Sequence, residues 1–265
     1  MGYNAFVHCR CFQDGKIPRP YFADYICYDY DEDGLTLCLP NDIKNNKDKV
    51  IKIENDFYYD WLENGCEHRG MYLVNEWIGN ISAMSEFRQF VANHSNIYPT
   101  LHQYLPTVNG GTVPAHLAKN LLQELTHIQN RKDTSEKIVL KEVGKDDYIT
   151  HTHINTQTLF ILTSKPTYYF YLGNRGFFIG DSQDYLVFES LHFYQEKLGN
   201  NQFIFTDIKT GKNFHCHYGI VDKSKSEFIV NKEQVLISED FTYIVTPLIK
   251  VAKASIETGN PIHWG

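Results

Sequence analysis

Between residues 71 and 91 the apolar positions Val74, Trp77, Ile81, Met84, Phe87 and Val91 recur at spacings of three and four. That spacing lines one face of a helix, the element around which a core would pack. Gly79-Asn80 interrupts the run, and an interior glycine costs a helix about 1 kcal/mol relative to alanine. The pattern therefore favours an extended piece up to Ile78 followed by a helix capped by Asn80. One continuous helix is the alternative. A second stripe, Leu117, Leu121, Leu125 and Ile128, follows Pro114 and predicts a helix that ends near Asn130-Arg131-Lys132. A third helix is expected over Leu248 to Glu257, opened by Thr246-Pro247 and ended by Gly259.

The rest reads mainly as strand. Before the first helix, Ala5 to Phe12, a hairpin of Tyr21 to Tyr30 with Leu35 to Leu39, and Val50 to Ile53 are extended candidates. Asp56 to Glu63 is an aromatic-rich helix candidate, and Ile97 to Pro106 reads as a connector with two prolines. From Lys137 onward, β-branched and aromatic residues mark Ile138 to Val143, Thr158 to Thr163, Thr167 to Leu172, Gly176 to Ile179, Phe203 to Asp207, Asn213 to Tyr218, Phe228 to Val230 and Val235 to Ile237. Asp181 to Lys197 stays ambiguous between helix and strand. Strands that do not alternate with helices predict an α+β fold, mainly antiparallel sheet with two or three packed helices. One compact unit over 1–265 is expected, with a possible subdivision into a helix-containing half, 1–132, and a β-rich half with the C-terminal helix, 137–265.

Composition narrows the function classes. With 42% hydrophobic and 22% charged residues the chain is globular rather than disordered. A net charge of −7 argues against a general nucleic-acid binder and suits a basic protein partner. No apolar run reaches membrane-span length, and the start lacks a basic region and apolar core. A cytoplasmic protein is expected, whose six cysteines are free thiols rather than a disulfide framework.

Five groups of ligand-type residues stand out: His8-Cys9-Arg10-Cys11, Cys66-Glu67-His68, His151-Thr152-His153, His192 and His215-Cys216-His217. On a strand, Cys9 and Cys11 share a face that His8 does not, and His215 and His217 oppose Cys216. Neither triplet can fill one metal site by itself. A four-ligand zinc site would need Cys9 and Cys11 joined by Cys66 and His68, or His215 and His217 joined by His151 and His153. Neither set matches a recognised zinc spacing, so no metal and no cofactor is expected. A thiol nucleophile would use Cys66 with His68, oriented by Glu67, and would require a lowered thiol pKa. Packing of Cys66 and surface placement of His68 is the simpler expectation. Asp29, Asp31, Glu32 and Asp33 form the densest acidic cluster, on a turn that does not complete a calcium-loop pattern. It is the expected rim of a partner interface. No nucleophile elbow, phosphate loop or dinucleotide fingerprint is present.

Four pieces together resemble a group of uncharacterised bacterial proteins: Met1-Gly2-x-Asn4-Ala5 with Cys9-x-Cys11 and Gly15-Lys16; Cys66-Glu67-His68; Ile78-Gly79-Asn80; and Glu257-Thr258-Gly259-Asn260-Pro261-Ile262-x-Trp264. The resemblance implies a soluble bacterial protein, in a setting associated with secreted toxins, and carries no catalytic residue. With the acidic, aromatic-rich composition, it leads to the expectation of a cytoplasmic immunity-type protein. Such a protein would bind and neutralise a toxin domain, with no nucleic acid or membrane partner. A thiol- or metal-dependent enzyme and a ligand-binding regulatory module are the alternatives.

Overall fold

In the computed structural model of the chain, residues 2–29, 34–108, 110–154, 156–164, 166–183, 185–199 and 202–265 are described. The fold is α+β with antiparallel sheets. The chain divides into two compact units, Met1–Lys132 with Ile237–Gly265, and Asp133–Leu236. The C-terminal stretch, grouped by the sequence reading with the β-rich half, belongs to the first unit, where Leu248, Val251 and Ala252 join the core.

Unit 1 begins with β1 (Gly2–His8), the hairpin β2 (Ile26–Asp29) and β3 (Gly34–Leu37), and the short helix α1 (Asn41–Lys44). Next comes α2 (Lys47–Asn55), extended by a wide helical turn over Asp56–Trp61 into α3 (Leu62–Asn64). The expected strand at Val50 to Ile53 is thus helical. The Asn46 side chain caps the start by accepting the Lys49 N–H at 3.2 Å, and Val50, Ile53 and Phe57 fall at helical spacing. β4 (Tyr72–Asn80) then meets α4 (Ile81–Asn93) at Asn80, whose side chain accepts the Ala83 N–H at 2.8 Å. This is the strand-then-helix version of the 71–91 pattern. The break rotates Trp77 and Ile81 outward, 59% and 51% exposed, while Met84, Phe87 and Val91 are buried.

The expected 97–106 connector holds a short helix, α5 (Pro99–Tyr104), because the Glu124 carboxylate accepts the N–H groups of Thr100 and Leu101 at 2.9 and 2.8 Å. That carboxylate lies on α6 (Ala118–Gln129), which follows β5 (Thr112–Val113).

The sequence re-enters unit 1 through α7 (Ile237–Asp240), α8 (Thr242–Thr258) and the last strand, named β16 below (Ile262–Trp264). α8 starts before Pro247, not at it. The proline lacks one backbone donor, but it lies on the buried side of the helix. Gly259, in the left-handed region at φ 69°, ends the helix. A four-stranded sheet, β4-β1-β16-β5, buries Tyr3, Ala5 and Val7 of β1 with apolar residues of α4, α6 and α8. The opposite face carries Phe6, His8, Tyr72 and His263 in mutual ring contact. A smaller cluster, with Phe22, Ile53, Phe57, Trp61 and Met71, packs around Cys9 and Cys11.

Unit 2 is built from β6 (Thr134–Glu142), β7 (Tyr148–His153), β8 (Gln157–Leu162), β9 (Tyr168–Gly173), β10 (Gly176–Asp181), β11 (Leu186–Ser190), β12 (His192–Gly199), β13 (Gln202–Asp207), β14 (Asn213–Cys216) and β15 (Lys225–Leu236). The ambiguous 181–197 stretch is therefore strand, and the two pieces expected around Val230 and Val235 form one strand, β15. The sheets β11-β10-β9-β8 and β14-β13-β12-β15-β6-β7 share a core of phenylalanines. Phe177 meets Phe193 at 4.6 Å between ring centroids, and Phe170 meets Phe205 at 5.6 Å.

The expectation of six free thiols does not hold. Cys27 and Cys38 form a disulfide, because the β2–β3 hairpin brings their Cα atoms to 5.9 Å, within bridging range. Cys9, Cys11, Cys66 and Cys216 are free. Among the described residues, no helix is long and apolar enough to cross a membrane.

Candidate functional site

The candidate site starts where β1 ends. The sequence pattern carried that strand to Phe12, but the ladder stops at His8. The Cys9 N–H donates to the Met71 carbonyl at 2.8 Å, and the chain then turns, with the Asp14 N–H on the Arg10 carbonyl and the Lys16 N–H on the Cys11 carbonyl at 2.8 and 2.9 Å. Cys9 and Cys11 are buried on the inner side of this turn. Arg10 between them reaches Asp14 and the Thr258 carbonyl, at 3.0 and 2.9 Å.

The facing wall is the loop of residues 65–71. Gly70 and Met71 both lie in the left-handed region, at φ 66° and 57°. For Met71, the one non-glycine at positive φ among the described residues, that backbone costs about 1–2 kcal/mol. Burial of its side chain and the Met71 N–H bond to the His68 carbonyl, at 2.8 Å, hold it there. This winding turns Cys66 and His68 toward the two N-terminal thiols.

The result is a group of three thiols and one imidazole. The Cys9 and Cys66 sulfurs lie 3.8 Å apart, Cys11 Sγ lies 3.3 Å from His68 Nδ1, and Cys66 Sγ lies 3.8 Å from the same nitrogen. All four ligand-type atoms fall within 4.8 Å of one another. Burial pushes the Cys9 thiol up to about 12, opposed by the Cys11 amide and reinforced by the neighbouring thiols. Burial also raises Cys11, while its contact with Cys9 and the nearby Lys16 act in the other direction. The His68 amide donates to Cys66 Sγ at 3.4 Å.

The remaining sequence candidates are not gathered in this way. Glu67 is exposed between Cys66 and His68. His215 and Cys216 alternate on β14, the histidine outward and the thiol buried, and His217 is exposed beyond the strand end. His151 and His153 lie on β7, at the opposite edge of the same six-stranded sheet, so the alternative four-histidine set is not assembled. His192 pairs with Glu227, Nε2 to Oε1 at 2.7 Å. Asp29 closes β2 opposite Gly34, and Asp31, Glu32 and Asp33 lie outside the described residues.

Two residues that sequence reasoning did not single out brace the site. Met71 supplies the carbonyl that anchors Cys9. Asn260, buried, donates from Nδ2 to the carbonyls of His8 and Cys9 at 2.9 and 3.5 Å. The Asn-Pro that follows Gly259 signals a turn, but nothing local says that the turn reaches Cys9.

Comparison of the chain with protein-family models, with curated proteins and with solved structures finds no match. The N-terminal, 78–80 and C-terminal segments adjoin one another in unit 1. β1 pairs with β4 up to Asn80, β16 pairs with β1 at Ala5–Trp264, and Asn260 holds the approach to Cys9.

Proposed function

We propose that the protein acts by binding a protein partner rather than by catalysis, as an immunity-type neutraliser of a secreted toxin. The observation that carries this reading is the exposure of large aromatic side chains on unit 1. Two clefts, of about 500 and 450 Å³, are lined around Tyr171, Arg175 and Glu189 in unit 2 and around Asn96, Gln123 and His127 in unit 1. Cys9 and Cys11 are buried, Cys66 and His68 are half-buried, and none of the four lines either of these two clefts. Binding needs aromatic anchors and a charged rim. Tyr21, Tyr59 and Trp77 are 63, 78 and 59% exposed on unit 1, and the net charge of −7 favours a basic partner.

The cytoplasmic placement belongs to the same proposal. The Cys27–Cys38 bridge weighs against it, since such bridges persist mainly in oxidising compartments.

The test is co-expression with the secreted toxin encoded beside the gene. The wild-type chain should restore growth. A variant carrying Asp31→Lys, Glu32→Lys and Asp33→Lys should associate about tenfold more slowly at low salt and restore growth less. Absence of a toxin neighbour, or full protection and unchanged association by the variant, would remove this reading in favour of a ligand-binding module.

A further inference from the structure

We propose that Cys9, Cys11, Cys66 and His68 bind one Zn²⁺ in a closed tetrahedral site that ties the end of β1 to the loop of residues 65–71. Zinc–sulfur bonds of about 2.3 Å and zinc–nitrogen bonds of about 2.0–2.1 Å, set at tetrahedral angles, place two sulfurs about 3.8 Å apart and a sulfur and a nitrogen about 3.6 Å apart. The Cys9–Cys66 sulfurs stand at 3.8 Å, and the two sulfur–Nδ1 distances of 3.3 and 3.8 Å bracket the other value. Since the four atoms lie within 4.8 Å of one another, the widest pair needs to close by at most about 1 Å to reach that geometry.

Other accounts of the cluster fit less well. A disulfide requires sulfurs about 2.05 Å apart, and in this chain it is Cys27 and Cys38 that are bridged. Hydrogen bonding alone gives a weak return for bringing three thiols together, because a thiol is a weak donor and a weak acceptor. The spacing is that of groups arranged around a common centre.

The donor set selects the ion. Three thiolates and one imidazole are soft to borderline ligands that suit zinc at tetrahedral geometry, whereas calcium and magnesium require oxygen. Four protein ligands leave no open position for water or substrate, so the ion is a cross-link and not a catalyst. The binding step balances as three Cys–SH, one neutral imidazole and Zn²⁺ giving one complex of charge −1 and three protons released to solvent. The His68 amide, already on Cys66 Sγ, offsets part of that charge. The sequence supplies the ligands as two pairs of equal spacing, Cys9-x-Cys11 and Cys66-x-His68. One pair is presented by the turn after β1 and the other by the left-handed turn at Gly70-Met71. This inference does not depend on the identity of any protein partner.

The full chain, purified under reductant, is tested with Zn²⁺ and with Co²⁺ as its spectroscopic substitute. The expected result is about one zinc per chain. Cobalt should give tetrahedral visible absorption and a thiolate charge-transfer band, both displaced by zinc. Cys11→Ser and Cys66→Ser should each lose the stoichiometric metal, while Cys216→Ser keeps it. His68→Cys retains a four-ligand set and should keep the metal with a stronger charge-transfer band. That variant decides the matter even if the serine variants fail to fold. A wild-type chain that takes up neither ion would overturn the proposal. So would serine variants that retain full metal content, or a His68→Cys cobalt spectrum identical to the wild type.

Discussion

Each unit carries a Cys–His group that is conspicuous in sequence, and the two groups end up differently. In unit 2 the His215-Cys216 pair stays in regular strand, and alternation sends the thiol into the phenylalanine core and the imidazole to solvent. In unit 1 the strand stops one residue before Cys9, and the chain turns. On the opposite wall, two consecutive left-handed residues turn Cys66 and His68 inward. Side chains converge where backbone regularity is broken and disperse where it is kept. The cores differ in the same sense. Unit 2 is held by packed phenylalanine rings, and the part of unit 1 around β1 and the 65–71 loop has a small satellite cluster, which is where a metal cross-link would contribute most.

The largest expected effect separates the units. Phe177 is fully buried and touches the rings of Phe160, Phe170, Phe188, Phe193 and Phe205. Phe177→Ala should destabilise unit 2 by about 3–5 kcal/mol in urea unfolding and leave metal content unchanged. Loss of metal in this variant would break the contrast.

Asp207 gives a pH-dependent version. Burial alone would raise its carboxyl, but the Ser190 and Thr210 hydroxyls and the amides of Thr210 and Lys209 outweigh it and hold the group below its usual value. A depressed folded pKa contributes stability above the unfolded value of about 4 and loses it as the pH falls through the folded value. Asp207→Asn should therefore cost about 1–3 kcal/mol at neutral pH. It should also flatten the acid limb of the unit 2 unfolding curve. An unchanged acid limb would show that the network is not formed.

Gly70→Ala acts on unit 1. The added Cβ meets the Tyr72 ring at a left-handed φ of 66°, a cost of about 1–2 kcal/mol. By loosening the ligand loop it should weaken zinc binding about 10- to 100-fold in a chelator competition. Smallest is Cys216→Ala. It removes one buried sulfur from the unit 2 core, at about 1 kcal/mol in a thermal melt, with metal content untouched.

Much of the fold was legible in the sequence, because period-2 and period-3.6 patterns report burial directly. The break at Gly79-Asn80, the α6 stripe and most strands after residue 137 were read this way. Val50 to Ile53 carries three β-branched residues, which mask its helical spacing to Phe57, and β7 is not among the expected strands. The site was legible only as a set of alternatives. The four ligand residues could be named, but their meeting depends on where β1 stops and on a left-handed methionine, which no local pattern announces. Asn260 acts across most of the chain length, so its part is a property of the tertiary structure alone. The hairpin is legible but not its disulfide, because the ladder pairs Cys27 with Thr36 and Cys38 lies just past the end of β3.

The central claim is that a metal holds the ligand turns of unit 1 while rings hold unit 2, and amide hydrogen exchange on one sample tests both halves. The wild-type chain is compared with bound zinc and after removal by chelator. Zinc removal should speed exchange in residues 8–16 and 65–72 and leave the β9, β10 and β12 amides at their original rates. Equal rates in both states throughout unit 1, or uniform loss of protection across both units, would contradict the account.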